Sequence, residues 1–291
     1  MSSTGAGDNA APCLALDIGA SKIDGALVAA DGTILTRERL FVNELGNDLL
    51  TPIVAMLQQL QKSKDVSYLG VGCAGPMTRG GETVSPLNIT QWRNFPLRSE
   101  LEAKTGIKTF VEGDARALAL AEGEYGAAKN DDSYISMVVS TGIGGGIVID
   151  GKLLDGETGN SGHVGHINVV PDGNLCSCGA RGCLEAEASG WAIEALTGKS
   201  PKDASSETRA RTAELVGRGI GSLCSVLDVS SCYVAGSVAL GFGDEFFDAA
   251  TKAARSVARL QYSDHLKIER SGLGDEGPLL GAALVGRRAS K

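Results

Sequence analysis

Three of the chain's seven cysteines and two of its three histidines fall within one stretch, HVGHINVVPDGNLCSCGARGC, running from His163 to Cys183. Cys176, Cys178 and Cys183 sit too close together to be separate core positions. With one imidazole they form a Cys3His donor set, the composition of a closed, tetrahedral structural Zn2+ site. His163 and His166 are three residues apart, so an extended segment would aim them at opposite faces and only one would reach the metal. Gly173, Gly179 and Gly182 permit the tight turns such a loop requires. The odd number of cysteines and their clustering read as metal binding in a reducing compartment rather than as a disulfide framework. Cys13, Cys73, Cys224 and Cys232 lie scattered in apolar runs and read as core.

Two glycine-bearing turns point to a second chemistry. Asp17 closes an apolar strand just before Gly19, Ala20, Ser21 and Lys22, and a second apolar strand ends at Ser140, just before Thr141, Gly142, Gly144 and Gly145. Glycines there let backbone approach a ligand closely, and the N–H groups of such turns can receive phosphate oxygens. Asp17 reads, from its place alone, as a cap on its turn. Asp114 stands between a strand and an Ala-rich helix, where helix capping and general-base duty are compatible.

The elements that must position these residues repeat. LALDIGASKIDGALVAADGTIL and YISMVVSTGIGGGIVIDGKLL share the order strand, Gly turn, strand, Asp-Gly turn, strand, which points to a duplicated lobe with a cleft between the copies. In the first copy the strands are CLALDI, KIDGALVAA and TILTRERL. A helix over 48–62 follows, then the buried strand VSYLGVGCA ending at Gly75-Pro76, an irregular stretch to Phe95, the strand IKTFVEG and the helix opened by Asp114. After the second copy, helices over 207–226 and 244–260, strands over 232–235 and 266–268, and the apolar helix GPLLGAALVG complete an α/β chain.

Composition narrows the function classes. The chain has 291 residues, 43% hydrophobic and 21% charged, enough to bury two modest cores. A net charge of -8 with no basic stripe argues against nucleic acid as a partner. No apolar run reaches the ~18 residues of a membrane span. The opening MSSTGAGDNAAP lacks the pattern of a secretory signal and reads as a disordered tail, so the expected location is cytoplasmic.

From Leu14 to Gly286 the chain resembles the ROK family (repressor, open reading frame, kinase), and its motifs fall in that family's order. They are LDIGASKIDGALV, GPMTRGGETVSPLNITQW, VEGDARALALAEG, STGIGGGIV, GHVGHINVVPDGNLCSCGARGCLEAEASG, VAGSV and GPLLGAAL. The resemblance implies a two-lobed actin-like, ribonuclease H-like ATPase fold. The smaller lobe would be 1–116 with a C-terminal helix of about 276–291 packing back on it, and the larger 117–275. It implies a sugar kinase using ATP, Mg2+ and structural Zn2+, with a sugar and ATP as its ligands and a homodimer as its assembly. Repressors of the family carry an N-terminal DNA-binding domain, and the tail before Leu14 leaves no room for a helix-turn-helix.

Carried over residue by residue, the resemblance implies Asp114 as general base and Asp17 as the Mg2+-orienting group. Gly19, Ser21, Lys22, Thr141 and Gly142 would hold phosphates, with Gly236 and Ser237 on the adenosine side. The sugar would meet Gly75, Asn88, Asp114, His163, His166 and Glu185, and His166 would share itself between the sugar and the metal held by Cys176, Cys178 and Cys183. The chain departs from the family at Gly19-Ala20-Ser21 for Gly-Gly-Thr, at Gly113 for the Asn before the base, and at Ala235 for a Gly. It departs most at His163, where the family generally has Glu. Its Gly-His-x-Gly-His form resembles bacterial N-acetylmannosamine kinases, and glucose is the alternative substrate.

Overall fold

The computed structural model describes residues 11–62, 64–87 and 89–289. The tail reading therefore lies outside the described residues for 1–10, as does Asn88. The chain divides into two compact units, Met1–Ala121 with Asp155–Asn160 and Asp275–Lys291, and Glu122–Leu154 with Ser161–Gly274. The linear division at 116/117 differs from this at the end of the helix after Asp114. It differs also at 155–160, where Arg79 Nη2 donates to the carbonyls of Gly156 and Glu157 at 2.8 and 2.9 Å.

In the first unit, strands β1 (Cys13–Ile18), β2 (Lys22–Val28), β3 (Ile34–Phe41), β4 (Leu69–Cys73) and β5 (Thr109–Gly113) form a sheet of order β3-β2-β1-β4-β5. β1 pairs antiparallel with β2 and parallel with β4, so it is buried throughout and reads as an apolar run broken only by Asp17. β3 is the half-exposed edge and carries Arg37 and Arg39, charges that discourage a further strand from pairing. Helices α1 (Leu50–Gln61), α2 (Leu97–Thr105) and α3 (Asp114–Glu124) complete the sequence up to the second sheet. The C-terminal helix Gly277–Ala289 packs on β1 and β4. It comes so near β4 that a Cβ on Gly70 would lie 1.9 Å from the Ala282 carbonyl oxygen. That contact accounts for the small residues of GPLLGAALVG.

The second unit repeats the plan. β6 (Tyr134–Val139), β7 (Ile143–Ile149), β8 (Lys152–Leu153), β9 (Ser231–Ala235) and β10 (Lys267–Arg270) form a sheet of order β10-β9-β6-β7-β8. As in the first sheet, an antiparallel three-strand meander is extended by parallel strands on the side of its first member. The α/β class with duplicated units is thus what the chain adopts. Its helices are α4 (Leu184–Ala188), α5 (Gly190–Thr197), α6 (Ser206–Leu227), α7 (Ser237–Phe242) and α8 (Asp244–Val257). α6 starts where the Ser205 hydroxyl accepts from Thr208 N–H, a side-chain N-cap.

Several elements depart from the sequence reading. α2 was hidden because LRSELEAKT buries only Leu97 and Leu101 and follows Pro96, which reads as loop. α4, α5 and α7 are five, eight and six residues long, too short to show a clear apolar period. The stretch from His163 to His166 is not extended. Val164–His166 is a 3-10 turn, and the two imidazoles stack with centroids 6.0 Å apart rather than facing opposite ways. Gly179 and Gly182 do take positive φ, whereas Gly173 does not and serves a close contact instead.

Candidate active site and metal centre

In the first unit the site is built where β1, β2 and β4 run side by side. Asp17 lies opposite Asp24 across the β1–β2 pair and beside Gly72 across the β1–β4 pair. A Cβ on Gly72 would stand 3.4 Å from Asp17 Oδ1 and 3.5 Å from the Asp114 Cα, so the bare Gly72 lets the start of α3 come near Asp17, close enough for the Asp114 charge to act on it. Asp114 is the first residue of α3, and its Oδ1 accepts from Ala115 N–H at 2.7 Å. Asp17 is 8% exposed, and burial pushes its carboxyl up to about 8, helped by the negative charges of Asp114 and Asp24.

Asp24, 2% exposed, behaves oppositely. Burial raises it, but Arg39 and Arg37 outweigh that and hold it below the usual carboxylate range. Arg39 Nε and Nη2 donate to its two oxygens at 2.7 and 2.9 Å, Arg37 Nη2 donates at 3.3 Å, and Lys22 Nζ lies 3.8 Å away. Two buried carboxyls on one hairpin thus differ in proton affinity because only one has guanidinium partners. The turn between them is closed by Gly19 N–H donating to the Lys22 carbonyl at 3.0 Å. None of residues 19–22 has a positive φ, so Ala20 fits without strain. Glu112 and Arg116, other charged groups near Asp114, form an ion pair at 2.7 Å, and Arg116 also reaches Asp155 at 2.9 Å. Gly75 follows β4, and Trp92 is buried and stacked on Phe95 at 4.7 Å.

In the second unit, the turn Ser140–Gly142 is held from three sides. Gly190 N–H donates to Ser140 O at 2.7 Å, Trp191 N–H to Thr141 O at 3.1 Å, and the Ser140 and Ser237 hydroxyls lie 3.0 Å apart. Glu185 Oε2 accepts from Ile143 N–H at 2.8 Å, and a Cβ on Gly142 would fall 2.7 Å from that oxygen. A carboxylate occupies the space a side chain would need, so a substitution at Gly142 would have to push Glu185 off the Ile143 N–H. Gly236 has φ +101 and approaches the Val139 carbonyl so closely that a Cβ would lie 2.3 Å from its oxygen. The Ala235, Gly236 and Ser237 junction therefore accepts a side chain at Ala235 but not at Gly236.

His166, Cys176, Cys178 and Cys183 come together, their donor atoms all within 4.8 Å of one another. Cys178 Sγ and Cys183 Sγ are 3.8 Å apart, and Cys176 Sγ is 3.6 Å from His166 Nδ1. Zinc–sulfur bonds of about 2.3 Å and zinc–nitrogen bonds of about 2.0–2.1 Å in tetrahedral geometry require S–S and S–N edges of about 3.8 and 3.6 Å. Burial and the neighbouring thiols push Cys183 up to about 12, while the Ala180 backbone N–H holds Cys178 below its ordinary value. Such a crowd of thiols resists full ionisation until a cation offsets its charge. The donor set fits a tetrahedral soft metal, and His163 stays outside it. Asp24, Gly72 and the Ile143 N–H were missed by sequence reasoning. Only Asp24 had a visible signal there, as the polar residue of a strand otherwise apolar.

These features define a duplicated α/β protein with a carboxylate pair, glycine turns and a Cys3His loop. The profile of the ROK family matches residues 13–289, and the chain belongs to that family. It is 39% identical over 185 residues to a glucokinase of Thermotoga maritima, a match spanning 62% of this chain and 58% of that enzyme. An N-acetylmannosamine kinase of Yersinia pseudotuberculosis is 32% identical over 291 residues, covering 94% of this chain and 98% of that protein. A ROK family glucokinase from Streptomyces griseus, solved with glucose and AMPPNP, superposes with a TM-score of 0.84 at 30% identity, covering 95% of this chain and 99% of that one. Among the described residues no helix is long and apolar enough to cross a membrane.

Proposed function

We propose that this chain, an ATP-dependent sugar kinase, transfers the γ-phosphoryl group of ATP to the 6-hydroxyl of a hexose or N-acylhexosamine, with N-acetyl-D-mannosamine first in rank. The observation that carries the reading is the convergence of Asp17 and Asp114 over Gly72. A binding protein has no use for two carboxylates so placed, whereas phosphoryl transfer needs a metal anchor and a base. Asp114 accepts the proton of the sugar hydroxyl as that oxygen bonds to the γ-phosphorus and ADP leaves. Aligning the hydroxyl supplies much of the acceleration. Backbone N–H groups of Ser21, Lys22, Thr141 and Gly142 receive phosphate oxygens, Gly19, whose own N–H closes its turn, lets the backbone approach them, and Gly236 and Ser237 serve the adenosine side. Asp17 would hold Mg2+, which when bound neutralises phosphate charge. His166 Nδ1 and the three thiols would hold Zn2+, which when bound makes a closed structural centre rather than an activator of water.

The sugar contacts proposed are Gly75, Asn88, His163, His166 and Glu185. Glu185 has one oxygen committed to Ile143 N–H, leaving the other for a hydroxyl, and His166 keeps Nε2 when Nδ1 faces the cysteines. His163 ranks the substrates. The family's Glu is acceptor-only, whereas a neutral imidazole offers one donor and one acceptor, matching the C=O and N–H of a 2-acetamido group. Glucose is the second reading, favoured by the 39% identity to the Thermotoga glucokinase. The test compares kcat/KM for glucose and N-acetylmannosamine in wild type and His163→Glu. The reading expects the preference to move toward glucose in the variant. A wild-type preference for glucose that the substitution leaves unaltered rejects it.

A further inference from the structure

Glu187 is 1% exposed, two residues past Glu185 on α4, and no step above uses it. Its Oε1 accepts from Asn174 N–H at 2.6 Å, and its Oε2 pairs with Arg211 Nη2 of α6 at 2.5 Å. Arg211 Nη1 also donates to the Glu187 carbonyl at 2.8 Å, so the guanidinium grips both the side chain and the backbone of this residue. Gly173 passes so near that a Cβ there would lie 2.3 Å from Glu187 Oε1.

The rest of the cysteine loop is tied by bonds that use neither thiol nor imidazole. Cys176 N–H donates to Ala180 O at 2.8 Å, Gly182 N–H to Asn174 O at 2.9 Å, and Val169 N–H to Gly182 O at 2.8 Å. Arg181 Nη1 donates to Gly173 O at 3.2 Å. At Asn174, two residues before Cys176, the loop is fastened through a buried charge. A carboxylate so buried is costly unless guanidinium and N–H donors satisfy it, and when satisfied its charge-assisted bonds are strong and directional.

We infer that Glu187, clamped by Arg211, is a positioning residue that fixes the Gly173–Asn174 end of the cysteine loop to the helix carrying Glu185, so that the four metal donors are gathered before a metal binds. The inference rests on the reading of that donor set as a zinc site, and it makes the loop's shape a property of the apoprotein. One helix then keeps the metal loop and the sugar-contacting carboxylate in register.

The test measures Zn2+ affinity of the chelator-stripped protein by competition with a chromophoric chelator, together with KM for sugar and for ATP. It uses wild type, Glu187→Ala, Glu187→Gln and Arg211→Met. Loss of a supporting partner of a metal site typically costs about 10–100-fold in affinity, and that loss is expected for Glu187→Ala, with sugar KM raised and ATP KM unchanged. Glu187→Gln keeps an acceptor for Asn174 N–H and should recover most of the affinity, a rescue that a general loss of packing would not give. If Glu187→Ala fails to fold, Arg211→Met decides, because Arg211 has a 46% exposed side chain and its removal leaves the core filled. Zinc affinity within twofold of wild type in Arg211→Met overturns the inference. If wild type binds no zinc, the zinc reading fails separately. Amide exchange over 173–183 then decides: protection in the metal-free wild type that is lost in Arg211→Met supports the clamp, and equal protection overturns it.

Discussion

Replacing Asp17 by Asn should make the metal-free protein less sensitive to alkaline pH, because burial and the charges of Asp114 and Asp24 put the folded-state value of this carboxyl at about 8. An unfolded Asp titrates near ~3.9. A raised folded value means that the carboxyl's contribution to stability is complete below about pH 4 and is lost as pH climbs through about 8. Each unit of displacement is worth about 1.4 kcal/mol, so between pH 5 and 9 the wild type loses on the order of 4 kcal/mol at this site as a ceiling. Asn has nothing to ionise and loses none of it. Groups away from this site titrate alike in both proteins, so the difference between the two pH dependences reports Asp17 together with its coupling to Asp114 and Asp24. At about 2–4 °C per kcal/mol, the gap between their Tm curves should open by about 10 °C across that range. Differential scanning calorimetry in the presence of a chelator, without nucleotide, measures it. Parallel Tm curves for wild type and Asp17→Asn would refute the reasoning, since the carboxyl would then ionise without penalty. Added Mg2+ and ATP should narrow the gap, because a cation beside Asp17 compensates the charge that burial penalises.

Asp114→Asn should abolish turnover while sugar binding by calorimetry stays near wild type, because the amide keeps the size of the side chain and cannot take the proton; turnover near wild type would make Asp114 only the start of its helix. Elemental analysis should find about one zinc per chain, and Cys178→Ser should lower thermal stability and sugar affinity together, because the loop bearing Cys178 also places His166. Metal-free protein with full activity would contradict that coupling.

Much of this arrangement is legible in the sequence, for reasons that differ by element. β1 and β6 are strands buried on both faces, so their apolar runs stand out, and a polar residue near the end of each, Asp17 in β1 and Ser140 just past β6, marks the turn behind it. The Cys3His set is legible because its ligands are local, whereas the other four cysteines lie singly in apolar runs. Asp24 is not, since its importance comes from the register that sets it opposite Asp17 and beside Arg37 and Arg39 on the next strand. Gly72 gains its role from the parallel alignment of β4 with β1, and Glu187 from Arg211 on a distant helix. The extended reading from His163 to His166 failed because a single 3-10 turn has too few residues to leave a periodic signature.

The central claim is that this chain phosphorylates the 6-hydroxyl of a sugar at the expense of ATP. It is tested most directly by following ADP release over a panel of hexoses and N-acylhexosamines and locating the phosphate on the product by NMR. The account predicts ADP release that depends on sugar, greatest with N-acetylmannosamine, one phosphate transferred per ADP, and that phosphate on O6. A protein that binds sugar and ATP yet releases no ADP with any member of the panel, or places the phosphate on another oxygen, would contradict it.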